Sequence, residues 1–372
     1  MTTLGPGRCG AIVAAVAVIA SAGALTACGS PTSAASSASG GTSAGTSAFS
    51  LATSLSTASD SWAVVPVSAN PAYWEVLVRP AASATWRLVT PPGVADNGGL
   101  VAATTASSLT VAVRPSQDLL FSPLASTADA GATWSTGGPL SAGVAASPGA
   151  LAADGRALLA VLGDGAVVTS SDAGVIWRTI AKPGAIAASP AGRGCGSVAV
   201  TSVTFGMTAS RMLAAGSCGT SGTTAIFSYS SSGGWQRLSL PVPGRLVRLA
   251  GGLALVLAKA GLTALWDGAS WHASAPLPVT GTVTTSGTLA GGGAWVLLPG
   301  GRAATIGGPG QQWLLLPPVP ARTSVLSSGQ NGAVDALAVS GLTLTVWLLS
   351  RAATEWTKIQ SMTVPVQSGS SN

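Results

Sequence analysis

Short apolar runs, broken by Gly, Pro, Ser and Thr, follow one another from about residue 48 to 366. SLATSL, SWAVVPV and YWEVLV lead to Thr85-Trp86. VRLAGG, LALVLA and LTALWDG lead to Ser270-Trp271, and TSVLSS, VDALAV and LTVWLLS to Glu355-Trp356. Runs of this length between turn-forming residues predict strands joined by tight turns rather than amphipathic helices. Trp residues punctuate the pattern. Trp86, Trp134, Trp177, Trp235, Trp271, Trp313 and Trp356 stand 48, 43, 58, 36, 42 and 43 residues apart. Most end a polar turn (SATW, SGGW, GASW, GQQW, ATEW), and several open a short apolar strand that stops at Pro. Each unit therefore reads as four strands, A to D, with the Trp after the C–D turn.

Self-similarity at this period suggests a propeller or a solenoid. Six intervals make seven units. Six or eight remain open, because the later turns have lost their marks: Ser230 and Ser232 stand where the fourth would carry them.

Two turns keep the full set of marks. Thr127–Trp134 is TADAGATW and Ser170–Trp177 is SSDAGVIW. In each, a hydroxyl residue (Thr127, Ser170) is followed by Asp (Asp129, Asp172), Gly (Gly131, Gly174) and Trp (Trp134, Trp177). The Asp can accept backbone N–H groups across a bend, the Gly supplies a positive φ, and the Trp buries a large ring between sheets. The motif resembles the Asp-box (BNR) repeat of β-propellers such as bacterial sialidases. The resemblance implies an all-β, seven-bladed propeller of four-stranded antiparallel blades over 48–366. It makes these eight residues structural and puts binding around the channel mouth, on the face of the B–C and D–A loops. Strand assignment puts Asn70, Asp96, Arg114, Asp118, Asp164, Lys182, Arg193, Arg245, Lys259 and Arg302 in those loops.

The ends read differently. Arg8, the apolar run Ala11–Leu25 and Leu25-Thr26-Ala27-Cys28 look like a bacterial lipoprotein signal over 1–27, too short an apolar run to span a bilayer. Cys28 would carry the lipid, placing the chain on the outer side of the cytoplasmic membrane. Residues 28–47 form a Ser/Ala/Gly/Thr tether, and 367–372 a disordered tail. Phe49–Leu55 is expected to be strand A of the first blade and Trp356–Ser361 strand D of the last, with TVPV (363–366) as a closing strand. Cys195 precedes strand A of the fourth blade and Cys218 ends its strand B. Antiparallel neighbours put these two together, so they are expected to form a disulfide, which an exported compartment permits.

Composition narrows the chemistry. Only 8% of residues are charged, and the net charge of +6 comes from scattered Arg with few Lys. No basic cluster points to nucleic acid. Of the four Cys, Cys9 lies in the leader, Cys28 would carry the lipid and the other two are expected to pair, so a single His leaves too few ligands for a metal, and no cofactor is expected. A sialidase would need an arginine trio, a Tyr–Glu pair, an acid/base Asp and an Arg-Ile-Pro motif. Tyr73 and Glu75 share a strand C away from the axis, Val78-Arg79-Pro80 is a poor match in the wrong strand, and His272 is expected at the surface. No catalytic residue is assigned. The expectation is a monomeric, non-catalytic binding or scaffold module for a protein or glycan, with a diverged glycan hydrolase or lyase as the alternative and a purely structural envelope component as a third reading.

Overall fold

The computed structural model describes residues 52–365 apart from 58–59, 68–72, 81, 92–99, 105–107, 114–123, 137–147, 208–210, 220–222, 269 and 280. The leader, Cys28, the tether, the tail, Asn70, Asp96, Arg114 and Asp118 lie outside the described residues.

Seven antiparallel sheets of four strands follow one another, each in simple sequence order. Blade 1 is β1 (Thr53–Ser56), β2 (Asp60–Val67), β3 (Tyr73–Pro80) and β4 (Arg87–Leu88). Blade 2 is β5 (Leu100–Thr104), β6 (Leu109–Val113), β7 (Leu124–Thr127) and β8 (Ser135–Thr136), and blade 3 is β9 (Pro148–Asp154), β10 (Ala157–Leu162), β11 (Val167–Ser170) and β12 (Arg178–Ala181). Blade 4 is β13 (Val198–Phe205), β14 (Met212–Cys218), β15 (Thr223–Ser230) and β16 (Gly234–Leu238), and blade 5 is β17 (Arg245–Ala250), β18 (Leu253–Ala258), β19 (Gly261–Trp266) and β20 (His272–Ala273). Blade 6 is β21 (Thr285–Leu289), β22 (Gly293–Leu298), β23 (Arg302–Ile306) and β24 (Leu314–Leu315). Blade 7 is β25 (Thr323–Ser328), β26 (Val334–Ser340), β27 (Thr343–Leu349) and β28 (Thr357–Thr363). This is the seven-bladed propeller that the Trp spacing predicts.

Burial explains the sequence of each strand. Middle strands are covered on both faces by neighbouring blades, so they are apolar throughout rather than alternating. GLTALW of β19 and GAWVLL of β22 are buried at every position. The outermost β28 is exposed at most positions. The repeat Trp sits just before strand D, or inside it in blade 4, and packs in the apolar layer against the preceding blade. Trp134 joins the layer between blades 1 and 2, and Trp177 that between 2 and 3. Trp235, Trp271 and Trp313 do the same further round.

The longest Trp interval is also explained. Between β12 and β13 the chain adds a short helix, Ala185–Ala188, and a 3₁₀ turn, Pro190–Gly192. Cys195 and Cys218 form a disulfide here, with Cα atoms 4.5 Å apart. Val198 pairs with Cys218 in the β13–β14 ladder, so the bond ties the start of strand A to the end of strand B. Closing a loop of this size stabilises by about 3 kcal/mol.

Closure departs from expectation. TVPV adds no separate strand: Thr363 ends β28, and the Val364 N–H donates to Leu342 O at 2.8 Å. Among the described residues no strand is shared between the first and last sheets. Side chains bridge the seam instead. Arg79 at the end of β3 and Asp335 in β26 are 4% and 1% exposed, and Arg79 Nε lies 2.9 Å from Asp335 Oδ2. That nitrogen is out of line for a hydrogen bond, so the contact is Coulombic. The other Asp335 partner is Trp86, whose Nε1–H donates to Oδ2 at 2.9 Å. Arg79 also donates to Ser328 O and lies 5.8 Å from the centroid of the Trp86 ring. Gln360 brackets the Trp86 backbone, accepting from its N–H at 2.8 Å and donating to its carbonyl at 2.7 Å. Deeper in, Ser54 Oγ donates to Leu326 O of blade 7 at 2.5 Å and accepts from Trp295 Nε1 of blade 6 at 2.7 Å. Burial pushes the Asp335 carboxyl up, and Arg79 and Trp86 oppose that.

Removing one member of a buried pair leaves the other uncompensated. Asp335→Ala should destabilise the protein by about 3–5 kcal/mol in urea unfolding, whereas Arg79→Met with Asp335→Asn should recover most of that loss. Equal losses in the single and double variants would show that the seam does not rest on this pair.

Candidate functional site

A cavity of about 620 Å³ lies among the inner strands β1, β9, β13, β17 and β21. Its exposed lip comes from A–B turns: Asp154, Met207, Gly251 and Gly292 all line it and all face solvent. It therefore opens on the face that carries the A–B and C–D turns. Hydroxyl residues such as Ser56, Thr201, Ser202 and Thr288 line it together with Leu55, Phe205 and Leu249. The charged residues lining it, among those described, are Asp154 and Arg248.

Two adjacent inner strands are irregular at this place. The β13–β14 register slips between Val200 and Ser202, and the β17–β18 register between Leu246 and Arg248. Thr201 and Val247, the extra residues, both line the cavity. A bulge bends its strand and re-aims the neighbouring side chains. Arg248 follows one. Its Nη1 donates to Ser286 O at 2.9 Å, while its Nε has no acceptor. Burial draws its pKa down to about 10, which leaves it cationic at neutral pH. Sequence reasoning missed Arg248: in RLVRLA it reads as one more exposed arginine, and only the slip in register turns it to the axis.

The structure puts the six described rim residues in the expected connections. Asp164, Lys259 and Arg302 lie in or beside B–C turns, and Lys182, Arg193 and Arg245 in or beside D–A connections. All six are exposed, and none lines the cavity. Asp164 Oδ1 accepts from the Ala166 N–H at 2.9 Å. Arg322 is exposed on the same face and donates to Ser340 Oγ. The exposed charges of the described connections on this face are thus six cations and one acid. The opposite face is mixed: Asp60, Asp129, Asp154, Asp172 and Glu355 lie there with Arg87, Arg156, Arg178 and Arg351. Neither of the ion pairs among the described residues, Arg79–Asp335 and Arg211–Asp267, uses a rim cation.

Other carboxyls named from the sequence are occupied. Glu75 is buried and accepts from the Thr90 hydroxyl, and burial raises its pKa against that bond. His272 is exposed on β20, as expected. No group of three or more His, Cys, Asp or Glu side chains gathers at a metal-binding distance among the described residues.

The two aspartate turns are built alike. Thr127 Oγ1 donates to Asp129 Oδ1 at 2.7 Å and accepts from the Gly131 N–H at 2.9 Å; Ser170 repeats both bonds with Asp172 and Gly174 at the same distances. The Asp carboxylates accept from the N–H groups of Thr133 and Ile176, each at 2.9 Å. Gly131 and Gly174 have φ of 78° and 90°. A Cβ would also lie 2.5 Å from Val89 at the first and 2.7 Å from Leu124 at the second. Each turn is pressed onto the preceding blade, away from the cavity.

No protein-family model matches the sequence, and no curated protein does. Solved structures do. PorZ, described as an essential bacterial surface component of the type-IX secretion system of Porphyromonas gingivalis, is 14% identical with a TM-score of 0.53, over 87% of this chain and 39% of that one. A 6-phosphogluconolactonase-like protein of Bacteroides fragilis is 13% identical with a TM-score of 0.52, over 84% and 98%. YCF48 of Cyanidioschyzon merolae is 13% identical with a TM-score of 0.47, over 81% and 92%. These neighbours are propellers. At such identity the likeness concerns the fold alone.

The aspartate turns should respond to acid. The Thr133 hydroxyl and N–H, with Thr127, hold the Asp129 carboxyl down to about 2. A folded pKa below the unfolded value of about 4 gives stability that is present above pH 4 and fades as pH falls toward 2. Asp129→Ala should therefore lower the melting temperature at pH 7, with the gap to wild type closing between pH 4 and pH 2. A gap that does not change with pH would remove the carboxylate from the explanation.

Proposed function

We propose that the chain is a monomeric lipoprotein, anchored through Cys28 outside the cytoplasmic membrane, whose propeller holds an acidic protein or glycan partner without chemical turnover. One observation carries the reading: exposed charge in the described B–C and D–A connections is six cations to one acid, whereas the other face is mixed. Lys182, Arg193, Arg245, Lys259 and Arg302 come from the connections of several blades, so only the closed ring brings them onto one surface. A field of one sign raises the rate of encounter with an opposite charge and excludes like-charged partners. Asn70, Asp96, Arg114 and Asp118 would extend this rim. Two features weigh against the hydrolase alternative. Retaining and inverting glycosidases commonly need two carboxyl groups beside the scissile bond, and Asp154 is the only carboxylate among the described cavity residues. Tyr229 does not line the cavity; its ring packs 5.0 Å from that of Trp235.

Two experiments test the two halves of the proposal. Cys28→Ala should move the protein from the membrane fraction to the medium; continued membrane retention would rule out the lipid anchor. Changing Arg193, Lys259 and Arg302 together to Glu should leave the melting temperature nearly unchanged, because exposed substitutions usually shift stability by less than about 0.5 kcal/mol. It should abolish photo-cross-linking to a partner in intact cells. Changing Arg156, Arg178 and Arg351 to Glu should preserve cross-linking, and the reverse result would place the partner on the other face.

A further inference from the structure

The axial cavity is separate from the cationic rim and has its own chemistry. Arg248 is the only cation among its described lining residues. Its one hydrogen bond is to the Ser286 carbonyl, and no carboxylate pairs with it among the described residues. Because the guanidinium is a rigid fork of five donors, most of its capacity is unused. A half-buried cation without a counter-charge is costly, and carboxylates and phosphates are the anions whose geometry fits the fork. The charge balance limits the ligand further. One fixed cation, with Asp154 at the lip, suits a monoanion and opposes a phosphate dianion. The remainder of the site is apolar enough for a hydrocarbon body: Leu55, Phe205 and Leu249 line it, and Met207, 60% exposed, stands at the lip over Gly252. A volume near 620 Å³ lies in the range of small-molecule sites. We propose that the axial cavity binds a small monocarboxylate with an apolar body, its carboxylate on Arg248 and its body toward Met207.

Calorimetric titration of the full chain with octanoate, octan-1-ol and inorganic phosphate tests this. Octanoate should bind one to one, octan-1-ol about tenfold more weakly or worse, as for loss of a charge-assisted hydrogen bond, and phosphate should not compete. Arg248→Gln should remove the preference for octanoate over the alcohol. Arg248 also bridges blades 5 and 6, so a second variant is placed at the exposed lip. Asp154→Lys should tighten octanoate binding several-fold at low salt, with the gain shrinking as salt rises. The proposal is overturned if octanoate does not bind, if the alcohol binds as well, or if phosphate competes. It is equally overturned if folded Arg248→Gln binds octanoate like wild type, or if Asp154→Lys leaves the affinity unchanged.

Discussion

A ring of blades is stable only if the last blade finds the first. In this chain the seam depends on a buried charge pair. The apolar faces of β2, β22 and β26 are similar in kind, and apolar contact alone would tolerate sliding of one blade on the next. Arg79 and Asp335 do not tolerate it, because each is buried and each needs the other. Pairs of this kind often add little net stability, since desolvation offsets most of the attraction. Their effect is to penalise the alternatives. Trp86 sharpens it by using Asp335 as the acceptor for its indole N–H and Gln360 as the partner of its backbone. The repeat Trp of blade 1 thus does at the seam what the others do between consecutive blades, with polar groups added where no covalent connection holds the neighbours together.

The rest of the ring can be less strict. Only blades 2 and 3 keep the complete aspartate turn, and these are the two in which glycine must let the turn touch the preceding blade. Ala130 and Ala173, beside those glycines, also hold positive φ, 56° and 63°. That conformation costs roughly 1–2 kcal/mol for a residue with a Cβ, so the hydroxyl–carboxylate network must hold it. Later blades approach through apolar side chains instead. In blade 5 a different device appears: Asp267, buried at the C–D turn, meets Arg211 of blade 4 at 2.9 Å, with burial raising its pKa and Arg211 opposing the rise.

This pattern explains what the sequence makes legible. Blade count follows from the Trp spacing because each Trp answers a local need repeated in every unit. The disulfide follows because Cys195 leads into one strand and Cys218 ends its neighbour in the same sheet. Arg79 and Asp335 are a single Arg and a single Asp in unrelated apolar strands, and nothing local says that they meet. Arg248 is hidden for another reason. Its direction depends on one extra residue, Val247, and a slip of one residue exchanges the faces of a strand. Composition and period are blind to such a slip. The rim residues are legible as connections, since Lys182, Arg193 and Lys259 need only the order of strands to be placed.

The two faces then have different physical uses. A surface with six exposed cations in its described connections can attract a large acidic partner without deep burial, because loop charges act through solvent at a range of several ångströms. The axial cavity offers the reverse, one cation in a confined and partly desolvated place. Water screens an isolated charge there far less than at the rim, so a single contact to Arg248 can weigh more than several to Lys259 or Arg302. Because the cavity lip is made of A–B turns and the rim of B–C and D–A connections, an occupant of one need not exclude an occupant of the other. Any coupling between them would have to run along the inner strands. The bulges of β13 and β17 lie on that route, so a ligand that pulled Arg248 straight would strain both the cavity wall and the strand that begins at Arg245 on the opposite face.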